Sequence, residues 1–289
     1  MTSVFIKTDT DLNLKRREAI ELPGGAGIRP PLKWAGGKRW LASRLKEIYL
    51  GSRQKSGSYR RLVEPFCGGL SVSLAIQPEQ ALLNDINDHS INFYRHLKKG
   101  LRMRRDMKND QDFYYEARAL FNELLEKKSD NKRLQAELFY YLNRTGYNGL
   151  CRFNKKGLFN VPFGSYKNIN YTEDFRAYKE ILKDWHFLSG DFELLDLKRD
   201  DFVYADPPYD VEFRQYAKEG FSYEDQIRLA RWLASHRGPV VASNQATDRI
   251  MKLYESLGFK VKILSAPRMI SCTGDRTRAN EMLAIKNLD

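Results

Sequence analysis

Cysteine is scarce in this 289-residue chain, which contains only Cys67, Cys151 and Cys272. No two of them have the spacing of metal ligands, and an odd number of cysteines does not suggest a disulfide framework. We therefore expect reduced, buried thiols. The sequence also lacks any apolar run long enough to span a bilayer, and its first twenty residues have no signal-peptide core. These absences predict a soluble, cytoplasmic protein with no membrane contact.

Acidic residues are outnumbered, giving a formal net charge of +12 that is unevenly distributed. Residues 88–172 contain 17 Lys and Arg against 9 Asp and Glu, so this segment alone carries +8. A basic surface that is concentrated in one segment indicates a polyanionic partner, and nucleic acid is the natural one. The alternative is a solvated lysine-rich face without a partner.

Strand-like runs alternate with helix-like segments along most of the chain, which predicts a mainly parallel sheet of the α/β class. The predicted strands are residues 60–66, 81–87, 201–209, 238–244, 259–264 and 280–286, and two of the helices are 223–236 and 247–257. Residues 88–172 interrupt this alternation with helices at 111–128 and 134–145 and then a polar loop.

The interruption predicts a domain inserted at 88–172 within a catalytic domain formed by 30–87 and 173–289. Residues 1–29 are polar and end in a loose glycine- and proline-rich stretch. We interpret them as an N-terminal extension, with the fold beginning at Leu32.

A glycine-rich turn, Glu64–Gly69, follows the apolar pair Leu62-Val63 at a position where α/β proteins bind ligands. A carboxylate there would repel a dinucleotide pyrophosphate but attract the ammonium of a methionine moiety, so Glu64 favours S-adenosylmethionine. Asp85 ends the next strand at about the spacing of an acid that binds ribose hydroxyls. The alternative for either acid is a helix cap.

Asp206-Pro207-Pro208-Tyr209 follows the apolar residues 202–205, again at the end of a strand. Adenine N6 is a poor nucleophile because its lone pair is delocalised, and Asp206 with the Pro207 carbonyl would hold its two N–H groups. Tyr209 would stack on a base turned out of the duplex. The alternative is a plain turn that ends a strand.

Residues 33–38 superficially resemble a phosphate-binding loop, but the glycine spacing is wrong and Arg39 replaces the magnesium-binding Ser or Thr. Nucleotide hydrolysis is therefore excluded. Trp34 suits an aromatic wall beside a sulfonium cation, or else a place in the core.

Residues 143–164 interleave Arg, Asn and Lys with aromatic side chains. This mixture suits contacts with base edges and phosphates and stacking on bases. A solvated loop rich in turns is the alternative.

From about Leu32 to Ile285, these segments occur in the same order as in the Dam family of DNA adenine-N6 methyltransferases, which the chain resembles. The resemblance implies a class I, Rossmann-like methyltransferase sheet with an inserted helical target-recognition domain. It also implies S-adenosylmethionine as cofactor, double-stranded DNA as partner and adenine in GATC as target.

The resemblance further implies the roles of individual residues. The catalytic pocket would consist of Asp206, Pro207, Pro208 and Tyr209. The cofactor site would be lined by Trp34, Lys38, Glu64, Phe66, Gly68, Asp85, Asp191, Phe192 and Asp206. The DNA-binding residues would be Lys33, Tyr147, Asn148, Leu150, Arg152, Pro162, Tyr166, Arg276 and Arg278.

Among these, Lys33 and Arg152 match positions that contact guanines, and Leu150 and Pro162 match residues packed against target bases. Tyr147 matches an aromatic side chain that is inserted where the flipped base stood. Arg276 and Arg278 belong to a late basic segment, 271–278, which we place on the phosphates.

One departure is Ser243–Thr247, where many relatives carry an acidic residue before the threonine. We expect in-line methyl transfer without a metal, by a monomer that visits the two strands of a palindrome separately. The alternatives are methylation of cytosine N4, RNA adenine or a glutamine side chain, and a catalytically silent DNA-binding module.

Overall fold

The computed structural model describes residues 28–56, 61–209, 220–266 and 279–288. The predictions for Cys272, Arg276, Arg278 and most of the N-terminal extension lie outside the described residues. The chain forms two compact units. One, the helical unit, contains the described residues up to Gly37 together with Asn87–Lys183, and the other, the sheet unit, contains those of Lys38–Ile86 and Asp184–Asp289.

The sheet unit is built on a seven-stranded sheet with the order β3-β2-β1-β4-β5-β7-β6 in the described residues. Strands β1 to β5 pair in parallel, and β7 runs antiparallel to both β5 and β6. The strands are β1 (Leu62–Glu64), β2 (Ala81–Asp85), β3 (Trp185–Ser189), β4 (Phe202–Ala205), β5 (Val240–Gln245), β6 (Lys260–Ala266) and β7 (Ala279–Lys286). This architecture confirms the predicted α/β class and Rossmann-like methyltransferase sheet.

The sheet unit folds around strands that are buried along their whole length. Every residue of β1, β2 and β4 is buried, as expected for central strands of a sheet covered on both faces. The helices are α1 (Ala42–Ser56), the single turn α2 (Ser73–Ile76), α7 (Tyr223–Ser235) and α8 (Asp248–Ser256). Ser222 and Asp225 form a capping box for α7, and Thr247 caps α8.

Strand order reverses at the pair β1–β4, because the chain continues outward from β1 to one side and from β4 to the other. A crevice at the carboxyl ends of the strands on either side of such a switch point is where open α/β sheets bind ligands. Glu64 ends β1 and Asp206 directly follows β4, so both acids lie at this switch point.

The helical unit contains α3 (Asp88–Lys98), α4 (Gln111–Glu126), α5 (Lys132–Thr145) and α6 (Arg176–Leu182). Helix α5 is almost entirely buried, and its Tyr140 stacks on Phe93 of α3 with centroids 5.2 Å apart. Phe175 packs edge-on against both rings. Asn87, Asp110 and Asn131 cap α3, α4 and α5, so the amino ends of these helices are fixed by side chains.

Several features differ from the sequence-based expectation. Strand β3 and helices α1, α3 and α6 were not predicted. Cys67 is buried as expected, but Cys151 is only half-buried, because it lies in the loop after α5. The Arg29 carbonyl accepts a 2.6 Å hydrogen bond from Tyr178, so the chain packs on the helical unit before Leu32. In the described ranges no helix has the length and apolarity that crossing a membrane requires.

Candidate active site

Glu64 is buried at the end of β1, with 2% of its surface exposed. Its Oε1 accepts a 2.6 Å hydrogen bond from the hydroxyl of Ser73, which is the first residue of the one-turn helix α2. The pKa of Glu64 is raised to about 8, mainly by burial and in part by the charge of Asp206, while the hydrogen bond from Ser73 opposes the shift. Glu64 therefore holds a proton readily near neutral pH, and a cation beside it would favour release of that proton.

Asp85 ends β2, where its Oδ2 accepts a 2.9 Å hydrogen bond from the Gly68 backbone N–H. It is not the cap of the following helix, because Asn87 fills that position. The neighbouring Asn84 side chain donates to the carbonyls of Pro65 and Gly190, at 3.0 and 2.9 Å. These bonds join the turn after β1, the end of β2 and the loop after β3 into one rigid rim.

Asp191 and Phe192 lie just after β3, separated from its last residue by Gly190. The Asp191 carboxylate accepts from the Glu193 backbone N–H at 3.0 Å and from Arg228 at 2.6 Å. Burial raises the pKa of Asp191, but these two hydrogen bonds and the charge of Arg228 outweigh burial, so the pKa is lowered. Asp191 is thus an ionised acceptor at neutral pH.

Three aromatic rings pack together beside this rim. Phe192 is buried and lies 5.7 Å from Phe66 and 6.1 Å from Phe221, and the last two rings are 5.5 Å apart, edge to face. The rings provide an apolar surface within the same unit as the three acids. Such a surface suits a purine or another flat group.

Asp206 follows β4, and two donors hold its Oδ1. Lys38 Nζ lies 3.0 Å away, and the Ser243 hydroxyl donates at 2.8 Å. Burial raises the Asp206 pKa and Glu281 adds to that effect, whereas Lys38 and Ser243 oppose it. Lys38 is itself 4% exposed and lies 4.6 Å from the centre of the Tyr209 ring, a cation–π contact.

The Pro208 carbonyl is also held. Gln226 Nε2 of α7 donates to it at 2.8 Å, and Gln226 Oε1 accepts a 2.9 Å hydrogen bond from Asn244 of β5. Sequence reasoning missed Gln226, Ser243, Asn244 and Glu281. The signal for Gln226 is that it is polar on the otherwise apolar buried face of α7, and the signal for Ser243 and Asn244 is that they are polar within the buried strand β5. We find no sequence signal for Glu281.

In the helical unit, Lys33 is fixed by several contacts. Its backbone N–H and carbonyl exchange 2.8 Å hydrogen bonds with the Asn143 side chain, and its Nζ donates to the Arg144 carbonyl at 2.9 Å. The ammonium also lies 3.5 Å from the Tyr166 ring centroid. Burial and the charge of Arg144 lower the pKa of Lys33 to about 8.

The other predicted DNA-binding residues that are described follow α5. Tyr147, Asn148, Arg152 and Pro162 are exposed, and Leu150 is half-buried. The Tyr147 N–H donates to the Pro162 carbonyl at 2.9 Å, and Arg152 donates to Asn160 Oδ1 at 2.8 Å. Trp34, expected at the cofactor site, is half-buried and belongs to the helical unit, whereas Lys38, Glu64, Phe66, Gly68, Asp85, Asp191, Phe192 and Asp206 belong to the sheet unit.

Comparison with known proteins agrees with this constellation. The model of the D12 class N6 adenine-specific DNA methyltransferases matches residues 34–270. The type II methyltransferase M.MjaIII of Methanocaldococcus jannaschii is 35% identical over 87% of this chain and 96% of its own. The retron Ec67 DNA adenine methylase of Escherichia coli is 37% identical over 88% of this chain and 90% of its own. The DNA adenine methylase of Vibrio cholerae is 36% identical over 88% of this chain and 94% of its own.

The match of the family model covers most of the chain, and the relatives align over nearly their whole length. Within the matched range, Glu64 and the segment Asp206–Tyr209 lie at the switch point of the sheet, and Asp85 ends the neighbouring strand β2. The chain belongs to the D12 class of N6 adenine-specific DNA methyltransferases.

Proposed function

We propose that this DNA adenine methyltransferase uses S-adenosylmethionine as the methyl donor and acts on adenine in GATC after turning the base out of the duplex. The observation that supports this most directly is Asp206, held at the switch point by Lys38 and Ser243 at 3.0 and 2.8 Å. An acid fixed in this way is a preformed acceptor for an amino group.

The residues around the switch point fit the proposed cofactor by their chemistry. Glu64 suits the ammonium, Asp85 with Gly68 suits the ribose hydroxyls, and Asp191 suits a purine amino group. Phe66 and Phe192 offer an apolar surface to the purine ring, and Lys38 completes the part of the proposed site that lies in the sheet unit. The cofactor would supply a methyl group activated by its sulfonium sulfur.

The catalytic roles of the protein are those of acceptors and of a stacking surface. Asp206 and the Pro207 carbonyl would accept the two N6 hydrogens of adenine, which leaves the nitrogen lone pair directed away from them. The donors Lys38 and Ser243 keep the carboxylate in place, and Pro208 and Tyr209 shape the pocket. Tyr209 would stack on the base, which must leave the helix because N6 is paired in duplex DNA.

We assign target recognition to residues 88–172 together with Lys33. Lys33 and Arg152 would contact guanines, Leu150 and Pro162 would pack on target bases, and Tyr147 would fill the place of the flipped adenine. Asn148 and Tyr166 would support these contacts, and Arg276 and Arg278 would bind phosphates. The exposure of Tyr147, with 51% of its surface accessible, supports its assignment, because an intercalating ring must be available to the duplex.

The experiment is a methylation assay on matched duplexes that contain GATC, GAAC or neither site, followed by nucleoside mass spectrometry. N6-methyladenine confined to the GATC duplex is the expected result. Methyladenine in the other duplexes would retain the chemistry and overturn the target. DNA binding without any modified base would identify a silent binding module.

A further inference from the structure

We propose that Gln226 and Asn244 are positioning residues that hold the backbone of the catalytic segment Asp206–Tyr209 in its working conformation. This inference rests on the proposed role of the Pro207 carbonyl as an acceptor of the adenine amino group. Neither residue would touch the base or the cofactor. They would act through the Pro208 carbonyl.

The contacts form a directed relay of three hydrogen bonds. The Gln245 backbone N–H donates to Asn244 Oδ1 at 2.8 Å, Asn244 Nδ2 donates to Gln226 Oε1 at 2.9 Å, and Gln226 Nε2 donates to the Pro208 carbonyl at 2.8 Å. Gln226 and Asn244 are both 0% exposed. Solvent water therefore does not reach these side chains to replace a lost hydrogen-bond partner, and loss of any one of the three hydrogen bonds would leave a buried polar group unsatisfied.

The direction of the relay is fixed at both ends. A backbone N–H can only donate and a carbonyl can only accept, so each amide side chain has one orientation that satisfies both of its neighbours. A flipped Gln226 would place its oxygen against the Pro208 carbonyl oxygen. The relay therefore both holds the carbonyl and specifies its direction.

Holding the Pro208 carbonyl also restricts the peptide group before it. The ring of Pro208 fixes its φ angle, so the Pro207–Pro208 peptide plane cannot turn about that bond. With the Pro208 carbonyl bound to Gln226, the Pro207 carbonyl keeps a defined direction. Displacement of a reacting group by about 1 Å can cost roughly 100-fold in rate, so loss of the relay should appear in kcat.

The test compares Gln226→Glu and Gln226→Leu with the wild type. At pH 8 we expect both variants to lose kcat by roughly 10- to 100-fold, with KM for DNA and cofactor within about threefold of wild type. As pH falls toward 6, Gln226→Glu should recover kcat relative to wild type, because a protonated carboxyl donates to Pro208 and still accepts from Asn244. Gln226→Leu has no proton to donate and should not recover.

Asn287→Asp is the matched control, because Asn287 donates its side-chain amide to the His236 and Gly238 carbonyls in the same unit. Its kcat should equal that of the wild type. If Gln226→Glu melts below the assay temperature, Asn244→Asp breaks the relay at its other donor and should show the same recovery at low pH.

Wild-type kcat in the Gln226 variants, or a loss of kcat in Gln226→Glu that does not recover at low pH, would overturn the positioning role. A loss of kcat in Asn287→Asp as large as that in the Gln226 variants would also overturn it. An inactive wild-type enzyme would instead refute the proposed function, so the two failures are distinct.

Discussion

Glu64 and Asp206 lie at the ends of the paired strands β1 and β4, and their surroundings treat the two carboxyl groups differently. Glu64 has the hydroxyl of Ser73 beside it, whereas Asp206 has both an ammonium and a hydroxyl. Two acids with different partners can serve different roles at one pH. We propose that Glu64 binds the ammonium of the cationic cofactor and that Asp206 accepts a hydrogen bond from the adenine amino group.

Glu64→Gln should change how stability depends on pH. The folded-state pKa of Glu64 is raised to about 8, so folding favours the protonated side chain. This contribution to the free energy of unfolding is fully present at pH values below the pKa of Glu64 in the unfolded chain, and it is lost as pH rises through 8. Gln keeps the acceptor for Ser73 and never ionises. In urea unfolding without cofactor, the free energy of unfolding of the wild type should fall by about 4 kcal/mol more than that of the variant between pH 5 and pH 9. Parallel pH curves for the two proteins would contradict the buried, protonated Glu64.

Lys33→Met should remove a pH dependence from DNA binding. Because burial lowers the Lys33 pKa to about 8, the free protein loses this positive charge as pH rises from 7 to 9. If Lys33 contacts a guanine, wild-type affinity should fall by about tenfold more over this range than that of the variant. Lys155→Met, which removes an exposed lysine, is the control and should retain the wild-type pH dependence. Equal pH dependence in all three proteins would exclude a role for the Lys33 charge.

Among the elements, the loop after α5 shows how Arg152, which we propose contacts a guanine, is held. Arg152 donates to the side chain and carbonyl of Asn160, at 2.8 and 3.2 Å, across the bridge formed by Phe153 and Phe159. Phe153 in turn stacks on His89 of α3 with centroids 4.6 Å apart. The arginine is thus oriented by its own loop before DNA arrives.

Asn160→Ala should therefore weaken specificity more than affinity. Without the acceptor, Arg152 samples more conformations, and its contact with guanine becomes less favourable, by about 1 kcal/mol. The ratio of kcat/KM for GATC to that for single-base variants should fall by about fivefold, while affinity for unrelated DNA stays unchanged. Lys156→Ala in the same loop is the control. An unchanged ratio would mean that Asn160 does not prepare Arg152.

The sequence could predict the elements whose chemistry is local. Apolar runs ending in Glu64, Asp85 and Asp206 identified β1, β2 and β4 and the acids at their ends. Strand β3 was missed because it is an edge strand in which only Trp185 and Phe187 are buried, so it has no continuous apolar run. As a result, Asp191 could be assigned only through the resemblance.

The supports of the site could not be predicted in the same way. Gln226 and Asn244 are 18 residues apart, and Lys38 and Asp206 are separated along the chain by the whole segment Asn87–Lys183 of the helical unit. Their pairing depends on the order of strands, which the runs themselves do not specify. The basic loop after α5 was visible from composition, but the contact of Arg152 with Asn160 depends on the bridge that the loop forms.

At the scale of the whole molecule, a net charge of +12 with +8 in residues 88–172 should make DNA binding strongly dependent on salt. If about five phosphates are neutralised, the slope of log Kobs against log salt should be about −4 to −5. Fluorescence anisotropy between 50 and 300 mM salt measures this slope. A slope near zero would contradict a phosphate-binding surface.

The central claim is tested most directly by following a labelled methyl group. The protein would be incubated with S-adenosylmethionine that carries a trideuterated methyl group and with a GATC duplex, in parallel with Asp206→Ala. Our account predicts trideuterated N6-methyladenine with the wild type, and at least about a 100-fold loss with Asp206→Ala, which should still bind the duplex with wild-type affinity. Label on any other base, or undiminished transfer by Asp206→Ala, would contradict it.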